Sequence, residues 1–242
     1  MPGVAARNAS ADAFGRQPIV IGSETLIADL SGALYWPARQ ILIVADLHFE
    51  KGSSYARHGQ FLPPYDTRDT LQRLAALLKR YNDARTLIAL GDSLHDRSAH
   101  QRLAPDDLAM LRELQAVCDW IWVCGNHDPV VDISLGGRVT DVVEIGGLVL
   151  RHEPSPARDF YEIAGHLHPA ARIVQHGCSI RRPCFVGDRS RLVLPAFGAY
   201  TGGLNVLDPA FLPLWTEEAG FSVWMLGQDG VYPVPVAMLR ED

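Results

Sequence analysis

Five short apolar runs in this sequence are each followed at once by residues that hold metals or move protons. Asp46 and His48 follow ILIVA. Asp92 follows TLIAL and a glycine. Asn126, His127 and Asp128 follow WIWVC and a glycine, His152 follows LVL and an arginine, and His166 and His168 follow EIA and a glycine. Singly, each piece has a plain reading. Gly, Asn and Asp make turns for backbone reasons, and a lone histidine such as His152 sits more often in a satisfied core or on a surface. Together, turns that each supply a ligand type at the same place are hard to reach by accident. The set holds carboxylates, imidazoles and an amide but no thiolate, which suits Mn2+, Fe or Zn2+ and not a structural all-cysteine site. Asp46, His48, Asp92, Asn126, His152, His166 and His168 are more donors than one ion that keeps a place for water can use. Two ions about 3.5–4 Å apart, sharing one carboxylate, would use them, hold a bridging hydroxide and clamp a phosphoryl group.

Such residues need elements to gather them. ILIVA (41–45), TLIAL (86–90) and WIWVC (120–124) are continuous apolar runs of strand length, which predicts strands buried on both faces. LVL (148–150) and EIA (162–164) are shorter runs of the same kind. Between the first two runs, Leu71, Leu74, Leu77 and Leu78 fall on one helical stripe, with Arg73, Lys79 and Arg80 largely off it and Asp66 as the expected N-cap. Between the next two, Leu108, Leu111 and Leu114 form a second stripe, opened by Pro105 and Asp106. Strand alternating with helix predicts a layered α/β domain. After about residue 130, short runs broken by Gly-Gly and Pro predict a mostly β half. Open α/β sheets bind ligands at the carboxyl ends of their strands, so neighbouring strands would bring these tips into one site.

The bulk numbers fit an ordinary globular chain. Its 242 residues allow one full domain, and 48% hydrophobic with 21% charged residues argues against disorder and coiled coil. Residues 1–18 show no period and read as a flexible tail before a single domain over 19–242. Cys118, Cys124, Cys178 and Cys184 form no C-x-x-C pair, so structural zinc is not expected and reduced thiols are. No signal-like N-terminus or run of about 20 apolar residues occurs, which predicts a cytoplasmic protein with no membrane span. A net charge of −6 gives no global attraction for nucleic acid, although bound cations and a local basic patch could supply it.

The order D-x-H, G-D, G-N-H-D, H and G-H-x-H, over roughly residues 40–170, resembles the calcineurin-like metallophosphoesterases. Within them, VADLHFEKG, LGDSLHDR, CGNHDP, RHEP, GHLHP and LPAFGAYTGGL resemble the bacterial ligase-associated DNA-damage-response endonucleases. The resemblance implies an α/β fold, a four-layer α-β-β-α sandwich of two mixed β-sheets flanked by helices. It gives one metal Asp46, His48 and His168, the other Asn126, His152 and His166, and sets Asp92 between them. His127 would then face the leaving group as a proton donor, with Asp128 either orienting it or capping the turn before Pro129.

The reaction this implies is phosphodiester hydrolysis with DNA as substrate, two divalent metal ions (manganese first, iron or zinc as alternatives), and functional association with a DNA ligase and other repair proteins. Two rivals stand beside it: a phosphatase or phosphodiesterase of small nucleotides or phosphomonoesters, and a non-catalytic binding module on the same fold. Lys51, Arg151 and Arg182 are candidate substrate contacts, with Arg97 and Arg181 as further candidates for a nucleic-acid path. Asp96 could brace a ligating histidine or face solvent. His58, His95, His100 and His176 match no ligand position and read as surface or structural residues.

Overall fold

A computed structural model describes residues 15–157, 160–216 and 220–242. The first sheet contains β1 (Gln17–Ile21), β2 (Glu24–Ala28), β3 (Leu34–Trp36), β4 (Ile41–Val44), β5 (Thr86–Leu90), β6 (Asp119–Val123) and β7 (Arg138–Thr140), side by side in that order. Helices α1 (Lys51–Arg57) and α2 (Asp66–Arg80) join β4 to β5, and α3 (Pro105–Gln115) joins β5 to β6. β1 to β4 pair antiparallel, and β4 to β7 pair parallel. The second sheet draws on β8 (Val142–Ile145), β9 (Leu148–Arg151), β10 (Tyr161–Ala164), β11 (Pro169–Gln175), β12 (Cys178–Gly187), β13 (Arg191–Val193) and β14 (Leu204–Asn205). Its order is β14-β11-β12-β13-β10-β9-β8, with β15 (Ser222–Leu226) and β16 (Val231–Val234) added beside β12, and β17 (Leu239–Arg240) beside β11.

Period-two alternation decides which face each residue serves. Along β4, Ile41 and Ile43 join the core between the sheets, where Leu148, Leu150, Ile163 and Phe185 meet them. Leu42 and Val44 point the other way, into a core closed by Leu71, Leu74, Leu77 and Leu78 of α2 and Leu111 and Leu114 of α3. Both faces are therefore covered, which is why these strands read as unbroken apolar runs. The outer face of the second sheet is covered by Phe211 and Leu214 of the 3-10 segment Pro209–Leu214, packed with Val186, Val223 and Met225. Among the described residues, no helix is long and apolar enough to cross a membrane.

Two boundaries differ from the sequence reading. Gln17 and Pro18, assigned to the tail, are the first residues of β1 and pair with Ala28 and Ile27; residues 1–14 lie outside the described residues. Asp66 is not the N-cap of α2. Tyr65 holds that position, and Asp66 sits in the first turn, where its Oδ2 accepts the Gly52 N–H at 3.1 Å. The carboxylate thus ties α2 to α1 while its charge still complements the helix N-terminus.

The parallel run β4–β5–β6 ends on one edge of the first sheet, and β9 and β10, also parallel, end together in the second. Phe197 N–H donates to Ala45 O at 2.8 Å and Gly198 N–H to Asp46 O at 3.1 Å, stitching the chain that follows β13 to the end of β4. Two sets of strand ends therefore face each other across one edge of the sandwich.

Candidate metal centre

Where the chain leaves these strands, it leaves them strained. Asp46, His48, Asp92, His166 and His168 have φ of 55°, 47°, 46°, 73° and 46°. Left-handed backbone at a non-glycine residue costs of order 1–3 kcal/mol and persists only where neighbours hold it. Here His48 N–H donates to Asp92 O at 2.9 Å, and His166 N–H to the Asp46 carboxylate at 3.0 and 3.2 Å. The room is tight enough to require glycine. A Cβ on Gly125 would stand 2.2 Å from Asp92 N, and one on Gly91 would stand 2.5 Å from the His152 ring.

The side chains converge as two groups that could each hold a cation: Asp46, His48 and His168, and Asp92, His152 and His166. In the first, His168 Nε2 lies 3.2 Å from Asp46 Oδ1 and 3.3 Å from His48 Nε2. In the second, His152 Nε2 lies 3.4 Å from Asp92 Oδ1, 3.1 Å from His166 Nδ1 and 2.8 Å from Asn126 Oδ1. Asp92 stands between the groups, its other oxygen 3.9 Å from His48 Nε2.

The donor set fits divalent metals. A carbonyl can only accept, so His152 Nδ1 carries the proton it gives Leu90 O at 3.0 Å, and His168 Nδ1 the one it gives Gly202 O at 3.2 Å. In the neutral rings Nε2 is then left as a lone pair facing the cluster, the arrangement typical of metal-bound imidazoles. Asp46 and Asp92 are buried carboxylates, which require compensation by positive charge or hydrogen bonds. Burial, then repulsion from neighbouring imidazoles, pushes His48 far below the usual histidine range and lowers His166 as well. Burial also pulls on His168, but the Asp46 hydrogen bond and charge outweigh it and raise that imidazole.

His127 stands outside both groups. Its N–H donates to Asp92 Oδ1 at 2.8 Å, and its ring Nδ1 donates to His95 O at 2.8 Å. Nε2 lies 3.8 Å from Asp92 Oδ2, beyond hydrogen-bond distance. Asp128 does not orient this ring. It is fully buried, and its two oxygens accept the N–H groups of Gly125 and Leu94, both at 3.0 Å. It braces the turn, the plainer of the two readings, and burial raises its carboxyl to about 6.

The orienting partner is one the sequence reading set aside. His95 holds His127 through its backbone carbonyl, stacks on it with ring centroids 5.3 Å apart, and brings its own Nδ1 to 3.3 Å from His48 Nδ1. His48, His95 and His127 lie close enough to form a third donor group. Burial, then the charges of Lys51 and His127, lowers His95 to about 4. Its sequence signal is its place within LGDSLHDR, three residues after Asp92; its position in space depends on its N–H pairing with Phe49 O at 3.0 Å.

The softer candidates scatter. Lys51 is half-buried beside the site, its Nζ 5.8 Å above the Tyr55 ring, which in turn lies 5.7 Å from the His95 ring. Arg151 lines an open cleft with Asn126 and His152 and has Glu162 at 3.9 Å. Arg182 is exposed on β12, opposite Ala171, and Arg97 is exposed as well. Among the described residues Asp96 bonds no histidine; it takes Arg102 at 2.6 Å and Ser98 at 2.8 Å, and these hold it ionised against the pull of burial. His58 bonds its own helix at Ser54 O, His100 bonds Arg97 O, and His176 sits in an exposed hairpin turn. All four cysteines are free thiols, two of them buried.

Comparison with known proteins points the same way. The family model for calcineurin-like phosphoesterases matches residues 39–219. Among solved structures, a nuclease named MPE from Pseudomonas putida is 34% identical, with a TM-score of 0.69, over 90% of this chain and 100% of that one. A protein of unknown function, AQ665 from Aquifex aeolicus, is 19% identical over 53% of this chain and 78% of that one, with a TM-score of 0.37. No curated protein matches.

Proposed function

This chain belongs to the calcineurin-like phosphoesterases and is a metal-dependent hydrolase of phosphate esters; from that premise we propose that it is a dinuclear-metal phosphodiesterase whose substrate is DNA. The observation that carries the reading is the position of Asp92, with one carboxylate oxygen turned to each donor group and His127 at its edge. Asp46, His48 and His168 would hold one cation, and Asn126, His152 and His166 the other, with Asp92 common to both. Manganese, iron and zinc all accept such oxygen and nitrogen donors. When bound, the pair would supply Lewis acidity that activates water and offsets phosphoryl charge.

The remaining roles belong to the chain itself. His127, with Nδ1–H committed to His95 O, would as an imidazolium give its Nε2 proton to the departing oxygen and be left as the neutral ring. Asn126 adds a donor oxygen without adding negative charge beside the phosphate. Lys51 and Arg151 stand at the rim, where they would meet a flanking phosphate. The Pseudomonas nuclease supports a nucleic-acid substrate, and the motif resemblance supports a role in DNA repair alongside a DNA ligase. A second reading, a small phosphoester substrate, is favoured by the net charge of −6.

The test is elemental analysis joined to a substrate panel with several divalent metals. Two manganese, iron or zinc ions per chain, with cleavage of circular single-stranded DNA exceeding that of p-nitrophenyl esters, supports the proposal. Turnover confined to the small esters overturns the nuclease, and a single bound ion overturns the dinuclear mechanism.

A further inference from the structure

A β-ribbon runs from the candidate centre into solvent. β11 begins one residue after His168, and β12 returns antiparallel to it. His176 and Gly177, with φ of 50° and 78°, make the turn, which is the left-handed pair a two-residue hairpin favours. Residues 174–183 are exposed throughout. Residues 169–183 carry Arg172, Arg181 and Arg182 and no carboxylate, although the whole chain has a net charge of −6.

The register aligns charges in a way that chance would disfavour. Arg240 of β17 lies opposite Arg172 of β11, and Arg172 lies opposite Arg181 of β12. Residues directly opposite share a face, and like charges so placed destabilise a sheet. At about 4.8 Å between strands, the row is roughly 10 Å across. Arg182, paired with Ala171, alternates to the other face and is not part of it.

Anionic and carbonyl oxygens already sit on this row. Asp242 takes Arg181 in a two-pronged contact, Nε to Oδ1 at 2.8 Å and Nη2 to Oδ2 at 3.1 Å, and Arg172 Nη1 donates to Glu241 O at 2.6 Å. A guanidinium fork grips a phosphate in the same geometry. Arg181 Nη2 also donates to Gly203 O at 2.7 Å, and the adjoining Gly202 O is the one that holds His168 Nδ1. The row therefore ends beside the candidate metal centre.

We infer that Arg240, Arg172 and Arg181 form a track for the sugar-phosphate backbone of a polynucleotide entering the site, and that Asp242 occupies the Arg181 fork until a phosphate displaces it. The inference rests on the nuclease reading above.

The experiment compares the Arg172→Gln/Arg240→Gln double variant and Asp242→Asn with the wild-type chain, on DNA and on bis(p-nitrophenyl) phosphate, over a series of salt concentrations. The small diester carries none of the flanking phosphates that the row would hold and serves as the control. The double variant is expected to raise KM for DNA roughly tenfold and to flatten the salt slope by about 0.7–0.9 for each lost phosphate contact, with kcat kept. Asp242→Asn is expected to lower KM for DNA a few-fold. Equal KM and salt slope in all three proteins overturns the track, as does a parallel loss on both substrates in the double variant together with no gain from Asp242→Asn. A wild-type chain that cleaves the diester but no polynucleotide removes the nuclease reading, and the track with it.

Discussion

The two ends of the first sheet make opposite uses of the same strands. At the amino ends of β5 to β7 lies a cleft of about 1170 Å3 whose lining includes Gln40, Asp83, Arg85, Gln115, Asp119 and Arg138. Its acids are exposed, and Asp83 is engaged by the Tyr35 hydroxyl. Among the described residues, no histidine lines it. At the carboxyl ends, buried carboxylates and imidazoles are pressed within 4 Å of one another and five non-glycine residues are held at positive φ. Concavity alone marks a place where water collects. Strain and unscreened charge mark a place whose arrangement the rest of the fold is holding.

The largest effect expected from that contrast comes from Asp92, which both donor groups share. Asp92→Ala should lose metal at both positions and cut turnover on the order of 10^4-fold or more, because several kcal/mol of charge stabilisation are at stake. Asp119→Ala, at the opposite end, should leave metal content and turnover unchanged; a matching loss there would collapse the comparison. Metal analysis and initial rates read both variants. Next is His127→Ala, expected to keep both metals and lose about 10²–10⁴-fold in diester cleavage, as for a removed general acid. Metal loss in that variant would instead make His127 a ligand. A smaller effect, about 10–100-fold in kcat with metals retained, is expected for His95→Ala, which removes the ring beside His48 and leaves the carbonyl that holds His127.

The smallest effect concerns stability away from the site. Burial pushes the Asp29 carboxyl upward, yet hydrogen bonds from Ser31, Arg80 and Tyr81 together hold it below the ordinary 3.8. A depressed carboxylate stabilises the fold above its unfolded pKa and loses that contribution as pH falls through its folded value. Asp29→Asn should therefore cost about 1–3 kcal/mol near neutrality, with the difference from the wild-type chain shrinking below about pH 4 in denaturant titrations. A difference that stays constant with pH would trace the cost to packing and not to charge.

Much of the fold could be read directly. ILIVA, TLIAL and WIWVC became β4, β5 and β6 within a residue, because burial on both faces leaves an unbroken apolar run. The leucine stripes became α2 and α3 because one face of each meets the sheet. Asp66 is no cap because its carboxylate and the Thr67 hydroxyl accept the amides of Gly52 and Glu50, contacts between segments that the local sequence does not reveal. His95 matches no ligand position of the motifs, and its immediate neighbours in the sequence do not distinguish it from a surface histidine. It reaches the centre only through the pairing of its loop with Phe49.

The sequence by itself determined the kinds of atom available at each strand end and the layered α/β plan, since hydrophobic period and turn chemistry are local properties written in consecutive residues. Which atoms meet was decided only by the tertiary structure. Asp46 and His166 are 120 residues apart, yet the His166 amide bonds the Asp46 carboxylate; that meeting exists because two sheets bury a common face and so must bring their strand ends to the same edge.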